Sequence, residues 1–207
     1  TRGSNWRAKI EEINKLGLKE VAIFPTCLQR KERAELYSLL ESSCLGAIPF
    51  VHLRGDMDPG ELAYLKKRFK TQAFNIHSPT GKNPLKNDYS KYRKIIYIEN
   101  GDCPLKEKEV KHYGGICLDF THLENDRLFY RKNFELAAKL LEKYKIGANH
   151  ISAIKKEAQQ SEAARKVRYD KHSFKEISEF DYLRRYPLEY FSPLCAIELE
   201  NTIKDQL

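Results

Sequence analysis

Gly115-Ile116-Cys117-Leu118-Asp119-Phe120-Thr121-His122 carries the reading of the fold. Its first half is a short apolar run that opens after a glycine and closes on a carboxylate. A run that is apolar on both faces belongs to a strand covered on both sides, as in a parallel sheet. Six other runs share the design, at residues 20–24, 47–52, 73–77, 94–99, 146–150 and 194–198. Between them the spacing predicts helices over 30–40, 58–69, 126–144 and 178–186, with Asp58 as N-cap and Pro59 at the first helical position. Strands that alternate with helices make an α/β protein. Seven runs in 207 residues leave about 30 residues per strand–helix unit, the size of a repeat in a (β/α) barrel. A doubly wound open sheet would carry a glycine-rich phosphate turn after its first strand. The turn here, Phe24-Pro25-Thr26-Cys27-Leu28-Gln29, has no glycine. The expectation is a single TIM-type barrel domain over residues 1–207, with seven parallel strands. The polar stretch 155–171 is expected to be a long loop or an exposed helix.

Composition narrows the function classes. Aromatic residues make up 11% of the chain, which excludes a disordered chain too polar to bury a core. No apolar run approaches the ~18 residues of a membrane-spanning helix. The opening Thr1-Arg2-Gly3-Ser4-Asn5-Trp6 has no apolar signal core. Basic residues number 37 against 29 acidic, a net charge of +8, which favours an anionic partner such as a phosphorylated small molecule or a nucleic acid. The five cysteines (Cys27, Cys44, Cys103, Cys117 and Cys195) form no CxxC pair. Cys117 and Cys195 lie inside apolar runs and read as small core residues. A reducing, cytoplasmic compartment is the expectation.

The ends of the runs hold the chemistry. Six of the seven finish on or beside a residue able to ligate a metal: His52, His77, Glu99, Asp119 with His122, His150, and Glu198. In a parallel barrel all strand C-termini open on one face, so these groups converge. Histidine and carboxylate suit Zn²⁺, Mn²⁺ or Mg²⁺. A lone histidine at a strand end is more often a hydrogen-bonded scaffold residue. Six in register are hard to reconcile with that, because several buried carboxylates need a cation. Basic residues stand beside the same strand ends: Arg54, Lys82, Lys86, Lys155, Lys156, Arg165, Lys166 and Arg168. Singly they read as solvated surface, and collectively as phosphate binders, with Arg54 and Lys155 the leading candidates. Tyr182, Tyr186, Tyr190 and Phe191 read as helix packing rather than a base-stacking platform.

At Ile98-Glu99-Asn100, Cys117 to His122, Asn149-His150-Ile151-Ser152 and Ala196-Ile197-Glu198-Leu199-Glu200-Asn201 the chain resembles the xylose-isomerase-like TIM-barrel superfamily. That group includes sugar isomerases and epimerases and the metal-dependent apurinic endonucleases. The resemblance covers roughly residues 6–207. The superfamily's first strand has no counterpart, since residues 6–17 read as a helix striped by Ala8, Ile10, Ile13 and Leu16. In the sugar-acting branch the resemblance implies one divalent ion held by Glu99, Asp119, His150 and Glu198, with His122 on the substrate. In the endonuclease branch it adds His52, His77 and the D-x-H pair of Asp170-Lys171-His172, nine candidates for a trinuclear zinc site.

Three functions follow. The first is a metal-dependent isomerase or epimerase on a sugar or sugar phosphate. Glu99 and Glu198 would exchange protons with neighbouring carbons, and His52, His77, Arg54 and Lys155 would line the substrate cavity. The second is an endonuclease-like phosphodiesterase, for which the short loops are unfavourable and residues 154–169 are the single long loop. The third is a degenerate barrel that binds without catalysis.

Overall fold

Six of the seven apolar runs form one parallel sheet. Its strands are β1 (Phe50–His52), β2 (Ala73–Ile76), β3 (Ile96–Glu99), β4 (Ile116–Asp119) and β5 (Ile146–Ile151), then, after an antiparallel hairpin of β6 (Ala153–Ser161) and β7 (Lys166–Lys171), β8 (Cys195–Ile197). The order is β1-β2-β3-β4-β5-β8, with every pairing parallel. The computed structural model describes residues 5–81, 84–101, 103–161 and 166–207. Around the sheet lie α1 (Trp6–Leu16), α2 (Arg30–Glu41), α3 (Pro59–Phe69), α4 (Glu107–His112), α5 (Phe120–Phe129), α6 (Arg131–Lys143) and the short α7 (Ile203–Gln206). Their apolar faces, among them Leu36, Leu40, Leu62, Leu65, Phe69 and Leu140, pack on outward strand residues such as Phe74, Ile76 and Ile98. Among the described residues no helix is long and apolar enough to cross a membrane.

The sheet curls so that its inner face encloses a second core. One residue from each strand forms it: Phe50, Ala73, Tyr97, Cys117, Ala148 and Ala196. Alternate residues on a strand share a face, so the next inward position is two residues further on. Those positions carry His52, Asn75, Glu99, Asp119, His150 and Glu198. The barrel therefore stacks a ring of polar side chains directly above an apolar plug, the layered interior of this architecture.

The seventh run departs from expectation. Residues 20–24 pair with the neighbouring segment only through isolated bridges at Glu20–Ala47 and Ile23–Val51, giving six strands rather than seven. The cause is Pro49. The Ala47 N–H donates to Lys19 O and Val21 N–H donates to Ala47 O. The next donor in that ladder is residue 49, a proline without an N–H, so the ladder breaks and resumes at Ile23 and His52. Ala22 and Phe24 still pack on the plug. Between this segment and β8 the barrel is not hydrogen-bonded shut; an apolar cavity of about 450 Å³ occupies the seam. Helices α1 and α7 close it from outside, with Lys9 Nζ donating to Leu199 O at 2.7 Å and Ile203 N–H to Glu12 at 2.5 Å.

Three further expectations change. The helix expected over 126–144 is two helices, broken at Tyr130, whose ψ of 57° leaves the helical region. The one expected over 178–186 is a 3-10 run, Ile177–Arg185. Of residues 155–171, those described (155–161 and 166–171) are neither loop nor helix but the strands of the β6–β7 hairpin, which pairs backbone groups a bare loop would leave open. Tyr169 anchors it by stacking on Phe129 at 5.2 Å.

Helix α3 starts where the sequence places it. The Asp58 carboxylate accepts from the N–H groups of Gly60 at 2.8 Å and Glu61 at 3.2 Å, and Glu61 reaches back to the Asp58 N–H. Glu61 also holds the fully buried Arg33 guanidinium through two bonds of 2.8 Å. Removing the cap as Asp58→Ala is expected to cost ~1 kcal/mol in urea unfolding while leaving metal affinity unchanged. An unaltered midpoint would show that Pro59 and Glu61 start the helix unaided.

Candidate metal centre

Glu99, at the end of β3, is the hub of the polar ring. Its Oε2 lies 2.9 Å from His52 Nε2 and 3.6 Å from His150 Nδ1, and its Oε1 lies 3.6 Å from His77 Nε2. Asn75 Nδ2 donates to Oε2 at 2.5 Å. Burial works against ionisation of this carboxyl, but the imidazoles of His150, His77 and His52 outweigh it and hold it well below the usual carboxylate range. On the far side, Glu198 Oε2 lies 3.7 Å from His150 Nδ1 and its Oε1 lies 3.6 Å from His172 Nδ1. Asp119 turns Oδ1 into the cap of α5, accepting from the Thr121 and His122 N–H groups at 2.7 and 2.9 Å. Its Oδ2 faces His122 Nε2 at 3.7 Å. Asn100 locks the ends of β3 and β4 together, accepting from Asp119 N–H and donating to Asp119 O.

The donor set fits a divalent cation. Four triplets each offer ligand atoms within 4.8 Å of one another: His52–His77–Glu99, Glu99–Cys117–His150, Glu99–Asp119–His122 and Asp119–His150–Glu198. His52 shows the fit most directly. Its Nδ1 is 3.0 Å from the acceptor Leu53 O and donates there, and burial lowers the pKa of the ring. Its Nε2 lies 2.9 Å from Glu99 Oε2 and 3.2 Å from His77 Nε2, three ligand atoms close enough together to share one cation. His150 is fully buried, and neither of its ring nitrogens has a hydrogen-bond partner. An orphaned buried imidazole is costly unless a ligand takes its lone pair.

No known family model matches the chain, and no curated protein does. Among solved structures the chain is similar to a probable 3-DHS dehydratase, AsbF, involved in petrobactin synthesis in Bacillus anthracis. The identity is 15% and the TM-score 0.36, over 72% of this chain and 68% of that one. At that level the likeness says nothing about chemistry.

Asp170 lies in β7, in extended backbone, and His172 follows the strand end. The Asp170 carboxylate accepts from Asn125 Nδ2 at 2.5 Å and Arg168 Nε at 2.7 Å. Burial raises its pKa, but His122, Arg168 and His172 prevail and keep it ionised. Arg168 also donates to His122 Nε2 at 2.5 Å, tying the hairpin to the ring. No donor triplet among the described residues includes Asp170 or His172.

Beside His52 and His77 opens a cavity of about 450 Å³ whose lining includes Arg54, Asp56 and Lys86. Arg54 is braced by Asp56 at 3.0 Å and by Gln29. Lys155 lies on the hairpin in an ion pair with Glu179, outside that lining. Lys82 and Arg165 lie outside the described residues, as do residues 1–4. The aromatic cluster packs the fold: Phe191 stacks on Phe120 at 4.4 Å, and Tyr182 donates to Ser152 O. Cys117 is buried in the plug, where burial pushes its thiol up to about 12. Cys195, expected in the core, is exposed. Sequence reading passed over Asn75 and Asn125, and it met Asn100 as part of a motif without giving it a role. Asn75 left a signal, a polar residue at an inward position within an apolar run.

Proposed function

We propose that the protein is a metal-dependent phosphodiesterase whose centre takes at least two divalent ions. The observation that carries this reading is the shared carboxylate of Glu99. It shares one donor triplet with His52 and His77, a second with Asp119 and His122, and a third with Cys117 and His150. Three triplets on one carboxylate offer more ligand atoms than a single four-coordinate ion takes, and a second ion would use the remainder. The net charge of +8 and the basic lining beside His77 suit a phosphodiester of a nucleic acid.

When bound, two such ions would polarise a phosphoryl oxygen, lower the pKa of an attacking water and neutralise the leaving oxygen. The chain's own residues provide the rest. Asn75 and the Leu53 carbonyl fix the orientation of Glu99 and His52. Arg54 and Lys86 attract the phosphate beside the ring, and Arg168 orients His122. The apolar plug keeps water from entering beneath the ligands.

The sugar-acting reading keeps one observation: Glu99 and Glu198 approach the same His150 nitrogen, at 3.6 and 3.7 Å, as two bases flanking a substrate would. Elemental analysis and a substrate comparison separate the two. The phosphodiesterase binds two or three zinc ions per chain and cleaves an abasic-site duplex, and Asp119→Ala slows cleavage ~10³-fold, the worth of an ion that supplies several kcal/mol. One ion per chain with isomerisation of sugar phosphates and an intact duplex would overturn it.

A further inference from the structure

We infer that the Cys117 sulfur is a direct ligand of this centre, so that Glu99, Cys117 and His150 together select a thiophilic ion of the zinc type. The inference rests on the pocket being a metal centre. Cys117 is the inward residue of β4 one step below Asp119, and it is fully buried. Its plug neighbours are Phe50, Ala73, Tyr97, Ala148 and Ala196, so it brings the one soft donor to that layer. A ligand atom of Glu99, one of His150 and the Cys117 sulfur lie within 4.8 Å of each other. Donors on one zinc stand roughly 3–4 Å apart, given bonds of about 2.0–2.3 Å, so modest side-chain rotation closes the triplet.

The second observation is His150 itself. Both ring nitrogens are buried and neither makes a hydrogen bond, with Nδ1 facing the Glu99 and Glu198 carboxylates at 3.6 and 3.7 Å. An ion between the two would take a lone pair from the thiolate and one from the imidazole, which makes no hydrogen bond of its own. Cys117 forms no disulfide. It gives up its proton on binding, as any thiol ligand must. Thiolate and imidazole favour zinc, cobalt(II) or iron(II), while magnesium and manganese prefer an all-oxygen shell.

The test titrates metal-free protein with cobalt(II). Ligand-field absorption in the visible reports binding, and a near-ultraviolet thiolate-to-cobalt charge-transfer band reports the sulfur. Wild type is expected to show both. Cys117→Ser and Cys117→Ala should lose the charge-transfer band and bind cobalt at least about tenfold more weakly. Cys195→Ser should keep the band. Zinc should displace cobalt, and excess magnesium should not. Ligand-field absorption without the charge-transfer band in wild type would overturn the sulfur ligand and leave the metal centre standing. A band that persists in Cys117→Ala would overturn it too. Absence of any cobalt spectrum would overturn the metal centre itself, and this inference with it.

Discussion

Glu99→Gln is expected to strip the centre of metal and to slow phosphodiester cleavage by ~10³-fold or more. Glu99 supplies an oxygen to three of the four donor triplets. A neutral carboxamide keeps the size of the side chain and can still accept from Asn75, so the plug beneath it is undisturbed. What it loses is the charge that draws two cations into a largely buried ring. An ion contributing several kcal/mol of transition-state stabilisation corresponds to about three decades in rate. Thermal unfolding gives an independent readout. Zinc at 1,000 times its Kd should stabilise wild type by ~4 kcal/mol, and the variant should melt at the same temperature with or without zinc. Full zinc content in Glu99→Gln would show that the ions are held by the outer histidines alone, and the shared-carboxylate account would fail.

The strand ends were readable because two regularities coincide. Parallel strands deliver their C-termini to one face, and alternation puts every second residue inside. His52, Glu99, Asp119, His150 and Glu198 obey both and converge in one ring. Cys117 obeys the same alternation one step earlier, but a cysteine among Ile116 and Leu118 is indistinguishable from core in a sequence. Pro49 hid in an apolar run, although it removes the donor that a seventh strand needs. The hairpin was illegible for another reason. Its register shifts between Ile154 and Gln159, so no simple alternation marks it, and its charged residues read as solvated surface. Asn100 and Asn125 act by bonding to partners 19 and 45 residues away, and separations of that kind leave no local pattern.

Gly147→Ala is expected to destabilise the fold by about 3 kcal/mol and to weaken zinc binding more than tenfold, although residue 147 ligates nothing. The run around it, Ile146-Gly147-Ala148-Asn149-His150, reads as a plain strand. In the barrel it carries a bulge: Ile116 pairs with Ile146, but Cys117 pairs with Ala148, and Gly147 is the extra residue between. The bulge resets the alternation so that Ala148 and His150 both face inward. It also lets the Tyr97 ring lie against bare backbone. A Cβ at position 147 would stand 1.9 Å from Tyr97 Cε1 and 2.1 Å from its Cζ. The ring has no room to retreat, because Phe50, Cys117 and Ala148 pack the same plug. Either Tyr97 moves and drags Glu99, two residues on, or β5 moves and drags His150, three residues on. Both routes pull a ligand out of the ring, which links this packing defect to metal affinity. The double variant Tyr97→Ala with Gly147→Ala should recover part of the loss, with a favourable coupling of ~1–3 kcal/mol in a double-mutant cycle. If the two costs simply add, Tyr97 is not what the glycine makes room for, and the bulge has no part in seating the ligands.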